Sequence, residues 1–246
     1  MMLYPKQGNR IIPRLYNPRL TALIICDMWD RHWCAGASAR VDEMAPVLNE
    51  LACVMRDSGA LVIHSPSDTM DFYAGYPARL RLTETEIPRF KLAGAGRLNG
   101  SLPPLERELD SSDGGCDCMT ACIPRKAWTC QNPVIEIHDR DIIGDDDRVL
   151  SYMKLRSVTD VVLAGVHTNM CVIGRPFGLI KLKANGFYPM LVRDLTDTMY
   201  NHRMPPYVSH FRGNGITAGY IEAYIAATIT SDQIIGGKPF AFAENV

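Results

Sequence analysis

The sequence predicts an α/β fold, a mostly parallel sheet covered by helices on both faces. Two observations carry this. Short, uninterrupted apolar runs recur along the chain, and segments with helical hydrophobic spacing stand between them. Uninterrupted runs mark strands buried on both faces, and alternation with helices marks right-handed crossovers. The bulk composition agrees. Of 246 residues, 47% are hydrophobic and 22% charged, which suits one large domain with a sizeable core.

Taken in order, residues 1–19 are rich in Pro, Arg, Asn and Tyr and read as an N-terminal arm. Residues 21–26 form the first apolar run, which ends abruptly at Asp27. Within 40–58, Val41, Met44, Val47, Leu48, Leu51 and Met55 recur at helical spacing, and Gly59 supplies the stop. Residues 61–64 are a second strand, broken by Ser65-Pro66. Residues 65–133 hold many Pro and Gly and no long periodic segment. They read as an irregular, Cys-rich insertion within a single domain spanning 1–246, and such stretches carry function or lid a site. Residues 134–137 are expected as a third strand and 145–156 as a helix, with Asp145, Asp146 and Asp147 at its positive end. Residues 161–165 are the fourth strand, 172–185 a helix closed by Gly186, and 189–192 the fifth strand. Residues 207–227 read as mostly helical with an interruption near Gly213-Asn214-Gly215, and an extended arm follows from Gly236. Ligands of such sheets bind at the carboxyl ends of the strands. Those ends place Asp27, His64, the surroundings of His138, the loop 166–171 and Asp194 around one site.

Charge narrows the function. The net charge is −1, and no basic run or basic–aromatic alternation occurs, which argues against nucleic acid and acidic membranes as partners. The start lacks an apolar leader and no run is long enough to span a bilayer, so the expected compartment is the cytoplasm, where thiols stay reduced. A small molecule is the expected partner. Of eight cysteines, Cys116, Cys118, Cys122 and Cys130 crowd one stretch. They could hold a structural zinc ion, pair as disulfides or remain free thiols. No other cofactor is expected. Gly94, Gly96 and Gly100 lack the spacing and the preceding strand of a dinucleotide loop.

The segment with the clearest chemistry is Gly165-Val166-His167-Thr168-Asn169-Met170-Cys171. A thiol at the first turn of a helix meets the positive end of the macrodipole, which can bring its pKa from ~8.5 into the range of roughly 3.5–7.5. The unpaired amides of the same helix start can bind an oxyanion. Asp27, at a neighbouring strand end, can take up and return a proton. His64, near the same end, suits a hydrogen-bonding role in the pocket, and Trp128 could wall it. Arg175, Asp194 and Asp197 could line its mouth or brace the helices.

The run 162–172, Val-Leu-Ala-Gly-Val-His-Thr-Asn-Met-Cys-Val, followed by a helix, Gly186-Phe187, an apolar strand and Arg193-Asp194, resembles the isochorismatase-like cysteine hydrolases, which include the nicotinamidases. Residues 22–30, Ala-Leu-Ile-Ile-Cys-Asp-Met-Trp-Asp, resemble that family's first strand and its aspartate. The likeness spans about 20–64 and 134–200. It implies a three-layer αβα sandwich, an Asp–Lys–Cys triad with Asp27 and Cys171 as two members, a cis peptide at Val166–His167, and oxyanion contacts from the amides of His167 and Cys171. Trp29 stands where the family often has glutamine, and Thr168 belongs to the motif at the pocket. Homo-oligomers are common in the family. Its lysine falls 33–39 residues before the cysteine, and here that window, 132–138, contains none. Glu136 or His138 could stand in its place, or Lys126 could reach in. The resemblance implies hydrolysis of a C–N bond in a small amide or ureide through a thioester. The alternatives are a binding or scaffold protein that kept the fold, and a vinyl-ether hydrolase that does not use the thiol.

Overall fold

The computed structural model describes residues 2–94, 96 and 100–243. Among the described residues, eight strands form one sheet in the order β3-β2-β10-β9-β8-β5-β6-β7. Its central members are β5 (Thr21–Cys26), β6 (Leu61–Ser65), β8 (Asp160–Val166) and β9 (Tyr188–Asp197). The short β7 (Ile142–Ile143) and β10 (Ala227–Ile229) flank them, and all six run parallel. The N-terminal arm is not loose. Its β2 (Lys6–Gln7) pairs antiparallel with β10, and β3 (Arg10–Ile11) pairs with β2 and ends the sheet. The remaining arm strands, β1 (Met2–Leu3) and β4 (Arg14–Leu15), pair with each other.

Both faces of the sheet are covered, which gives the three-layer sandwich. In β5, every residue is buried and successive side chains alternate between two cores. Leu23 and Ile25 meet α1 (Ala35–Ser58), while Ala22, Ile24 and Cys26 face α3 (Arg148–Leu155), α5 (Leu179–Ala184) and α6 (His210–Tyr224). Each such aliphatic side chain contributes ~1.5–3 kcal/mol on burial. The short helix α7 (Asp232–Ile235) joins the α1 layer through Ile234. As the sequence suggests, α1 ends at Gly59, whose left-handed φ of 98° caps it.

Three sequence expectations are corrected. Residues 134–137 are not a strand. The pairing partner of β6 is Ile142–Ile143, while Ile135 turns into the core from an irregular segment. The helix expected over 172–185 is two short ones, α4 (Cys171–Gly174) and α5, because Pro176 forces Arg175 into an extended conformation. The helix α6 runs unbroken through Gly213 and Gly215. The insertion contributes α2 (Pro77–Glu84), whose Leu82 packs into the α3 layer, and no described helix is long and apolar enough to cross a membrane.

The sheet also sets up the site. At Gly165 the β8–β9 register shifts, and Gly165 adopts φ 110°. A Cβ there would collide with the Cys26 carbonyl. Only glycine lets β8 press against β5 and turn the following loop over the carboxyl end of the sheet.

Candidate active site

Asp27 and Cys171 come from adjacent strands, β5 and β8, and meet at this end of the sheet. Asp27 follows the last residue of β5 in a left-handed conformation, φ 47°, which aspartate tolerates. Its carboxylate is fully buried. One oxygen accepts the Ser67 amide at 2.7 Å, and the other accepts from Arg175 Nε at 3.2 Å. Arg175 also reaches Asp68 at 3.4 Å.

Cys171 opens α4. Its thiol interacts directly with the Asp27 carboxyl, and the His167 amide faces its sulfur. The Val166–His167 peptide is cis, and the Cys26 thiol donates to the Val166 carbonyl at 3.3 Å. Among the described residues, no backbone carbonyl takes up the amides of His167 or Cys171, whereas those of Met170 and Val172 both donate to the His167 carbonyl. Neither amide is tied up in the backbone ladder, and that of His167 is directed at the sulfur. Thr168 braces this loop. Its amide donates to the Asp197 carbonyl at 2.8 Å, and its hydroxyl bonds that of Thr196 at 2.7 Å.

The electrostatics differ from the low thiol pKa expected at a helix start. Burial, and after it the negative charge of Asp27, push the Cys171 thiol up to about 12, against the pull of Arg175 and the His167 amide. α4 is a single turn, too short to offer a substantial macrodipole. Burial likewise raises Asp27, while Arg175 and the hydrogen bonds from Cys171 and Ser67 oppose the rise. The resting arrangement is a neutral thiol beside the Asp27 carboxyl, with the Arg175 guanidinium on the carboxyl's other oxygen.

No sequence-family model matches the chain, and no curated protein matches its sequence. Solved structures do match. A cysteine hydrolase from Pseudomonas syringae pv. phaseolicola 1448A is similar at a TM-score of 0.55 and 17% identity, over 90% of this chain and 94% of that one. An isochorismatase from Pseudomonas putida KT2440 matches at 0.54 and 12%, over 90% and 93%. An isochorismatase family protein from Burkholderia thailandensis matches at 0.50 and 13%, over 89% and 95%. The chain has the isochorismatase-like fold.

Within this fold the sequence-predicted residues separate into two groups. Asp27, Cys171, Val166 and His167 converge. Glu136 and His138 do not join them. Both are exposed and pair with each other at 3.4 Å, because the segment that carries them is an irregular surface turn rather than a strand aimed at the pocket. Lys126 approaches only the rim, where its ammonium donates to the Asp68 carbonyl at 2.6 Å. His64 is fully buried at the end of β6 but turns to Gln131 (3.0 Å) and Asp141 (3.2 Å). Past β7, the chain offers Gly144 and Asp145, and Asp145 accepts the Asp68 amide. The cation beside Asp27 and Cys171 is therefore Arg175. Its signal in the sequence is its place four residues after Cys171, just before Pro176, which ends α4 and leaves Arg175 extended toward Asp27.

Aromatic rings wall the site. Trp29 and Trp128 stack with centroids 4.3 Å apart, His32 stacks on Trp128 at 5.7 Å, and His167 meets His32 edge-on at 4.8 Å. Burial drives His167 down to about 3, so it is neutral, and its Nε2 is buried with no partner among the described residues, as is Trp128 Nε1. Asp194 and Asp197 brace instead of lining the mouth. Asp194 accepts the amides of Ser231 and Phe240, and Asp197 holds Arg40 and His210. A cavity of about 600 Å³, lined in part by Leu102, Asn169, Met170, Ile173 and Tyr220, borders α4 without including Cys171 or Asp27. Cys130 is not with the other cysteines of its stretch. It packs near Tyr73 and Ile143, and Cys34 takes its place in their cluster.

Proposed function

We propose that the protein hydrolyses a carbonyl–nitrogen bond in a small amide or ureide, with Cys171 as nucleophile, Asp27 as proton carrier and Arg175 as the positive charge of the triad. The observation that carries this is the convergence of the three side chains beside the amides of His167 and Cys171, which no described backbone carbonyl accepts. Similarity to a cysteine hydrolase and to isochorismatases supports a hydrolase on this fold.

The steps follow from the chemistry of the groups. As the substrate carbonyl settles against the amides of His167 and Cys171, the thiol proton passes to Asp27 and sulfur bonds the carbonyl carbon. The amides hold the oxyanion. Collapse breaks the carbon–nitrogen bond, and Asp27 gives its proton to the departing nitrogen. Water then attacks the thioester, surrendering a proton to Asp27, which returns it to sulfur as the acid leaves. A raised thiol pKa suits this sequence, because proton transfer coupled to attack keeps a free thiolate from accumulating. The aromatic wall of Trp29, Trp128 and His32 favours a small, flat substrate.

The test is a panel of small amides and ureides, with acid-quenched intact-mass spectrometry. Turnover with an acyl adduct on the Cys171 peptide is expected, and Cys171→Ala should reduce turnover on the order of a thousandfold or more. Activity surviving Cys171→Ala would overturn the reading in favour of a reaction that does not use the thiol. Tight binding of panel compounds without turnover would favour a binding protein.

A further inference from the structure

Away from Asp27 and Cys171, thiols gather where the insertion meets the start of α1. The sulfurs of Cys34, Cys116 and Cys118 all lie within 4.8 Å of one another. Cys122 stands beside them, its thiol interacting with those of Cys118 and Cys116. We propose that Cys34, Cys116, Cys118 and Cys122 bind one zinc ion as four thiolates.

Geometry is the first support. A tetrahedral zinc with Zn–S bonds of about 2.3 Å has sulfur–sulfur edges of about 3.8 Å. The Cys34 and Cys118 sulfurs are 3.8 Å apart, far beyond the roughly 2.05 Å of a disulfide.

The surroundings are the second support. Cys34 is the residue before α1, and it brings no oxygen cap, so the first amides of a 24-residue helix need other acceptors. The sulfurs fill that need. The Gly36 amide donates to Cys118 Sγ at 3.3 Å, and the amides of Ala35 and Ala37 are directed at the sulfurs of Cys122 and Cys34. The amides of Cys118 and Cys122 are likewise directed at that of Cys116. Amides aimed at sulfur stabilise thiolates and orient ligands. Gly36 leaves room here for the Asp117–Arg40 pair, since a Cβ would meet the Asp117 carboxylate at 2.9 Å and Arg40 Nη1 at 3.2 Å. Two negative charges remain on a zinc–tetrathiolate centre, and the positive end of α1 faces them. The nearby Asp117 carboxylate is already paired with the Arg40 guanidinium at 2.9 Å.

The ion would staple the insertion to α1. Asp117, between two of the ligands, holds Arg40, which also holds Asp197, whose carbonyl in turn accepts the Thr168 amide in the loop before Cys171. A metal here is a structural support for the site, independent of the reaction proposed above.

Metal content of the full chain, purified under reducing conditions from zinc-supplemented medium, tests this. One zinc per chain is expected. Replacing it with Co(II) should give thiolate-to-metal charge-transfer bands and the visible bands of a tetrahedral centre. Cys34→Ser and Cys122→Ser should each weaken metal binding at least a hundredfold, whereas Cys130→Ser should leave it unchanged. The cobalt spectrum of the wild-type chain needs no variant to fold. Absence of zinc together with no cobalt–thiolate bands overturns the proposal. So do iron with inorganic sulfide, a Cys34–Cys118 disulfide in the reduced preparation, or binding lost only in Cys130→Ser.

Discussion

At the scale of single residues, the pairing of Cys171 with Asp27 and Arg175 yields an alkylation test with a definite sign. The thiol pKa is raised first by burial and then by the carboxylate, and Arg175 opposes the rise. Alkylation requires thiolate. Asp27→Asn removes the repelling charge while its amide oxygen can still accept the Ser67 amide. The thiol pKa should therefore fall, and because thiolate is scarce at pH 9, alkylation of Cys171 should quicken, by less than the factor by which its acidity constant rises because a less basic thiolate is a weaker nucleophile. Arg175→Met removes the attraction and should slow it, and Arg175→Lys should restore part of the rate without the planar fork of arginine. Peptide-resolved labelling with iodoacetamide at pH 9 measures all three. If Asp27→Asn slowed labelling, Asp27 would be acting as the thiol's activating base at rest rather than as a charge that holds the proton on sulfur. On the proposed reading, Arg175 carries the charge expected of the lysine. A cation expected from a distant strand end comes from four residues past the nucleophile.

At the scale of elements, the strands that carry the site were the legible part. β5, β6 and β8 are uninterrupted apolar runs, and their ends name Asp27 and the 166–171 loop directly. Errors arose where tertiary contacts outweighed local pattern. Ile135 and Ile137 read as a strand because a short apolar run has no period to distinguish it, yet they are tucked under the sheet edge from a turn. Gly213 reads as a helix breaker, yet α6 keeps it because a Cβ there would strike the Tyr200 ring at 2.5 Å. The Arg175–Pro176 break was visible as a proline, and its consequence, an arginine redirected to Asp27, was not. Cys34 lies 82 residues before Cys116 in the chain, so spacing alone could not join them. Gly165 tests the element that matters most. Its positive φ and the close approach of the Cys26 carbonyl leave an alanine no room without moving β8 from β5. Gly165→Ala should therefore cost about 3 kcal/mol or more in urea unfolding. Because β8 leads directly into the Cys171 loop, the rate of Cys171 labelling should change in whatever folded fraction remains.

Across the whole molecule, two buried ionic centres tie the insertion and the segment after it to the sandwich, and the one at Asp141 contributes to acid stability. Asp141, just before β7, accepts from Arg56 at 2.9 and 3.0 Å, from the His138 amide at 2.8 Å, and lies 3.2 Å from His64 Nε2. It therefore joins α1, β6 and the end of the irregular segment. Desolvation works against its charge, but the hydrogen bonds from His64, Arg56 and the His138 amide prevail and lower its pKa to about 2, from 3.8. A carboxylate whose folded pKa is depressed stabilises the fold above its unfolded pKa and loses that contribution as pH falls through the folded one. Asp141 should thus supply about 2 kcal/mol at neutral pH, lost progressively between roughly pH 4 and pH 2. Asp197, lowered through His210 and Arg40, loses its contribution at still lower pH. Asp141→Asn should be destabilised at pH 7 by about 3–5 kcal/mol, because the guanidinium of Arg56 is left buried without its counter-charge. The variant should also lose part of the acid slope, so the gap to the wild type should narrow by about 2 kcal/mol toward pH 2 without closing. Urea unfolding from pH 7 to pH 2 follows both curves. Parallel curves, with the offset at pH 7 persisting to pH 2, would show that the Asp141 carboxylate holds the segment through shape rather than charge.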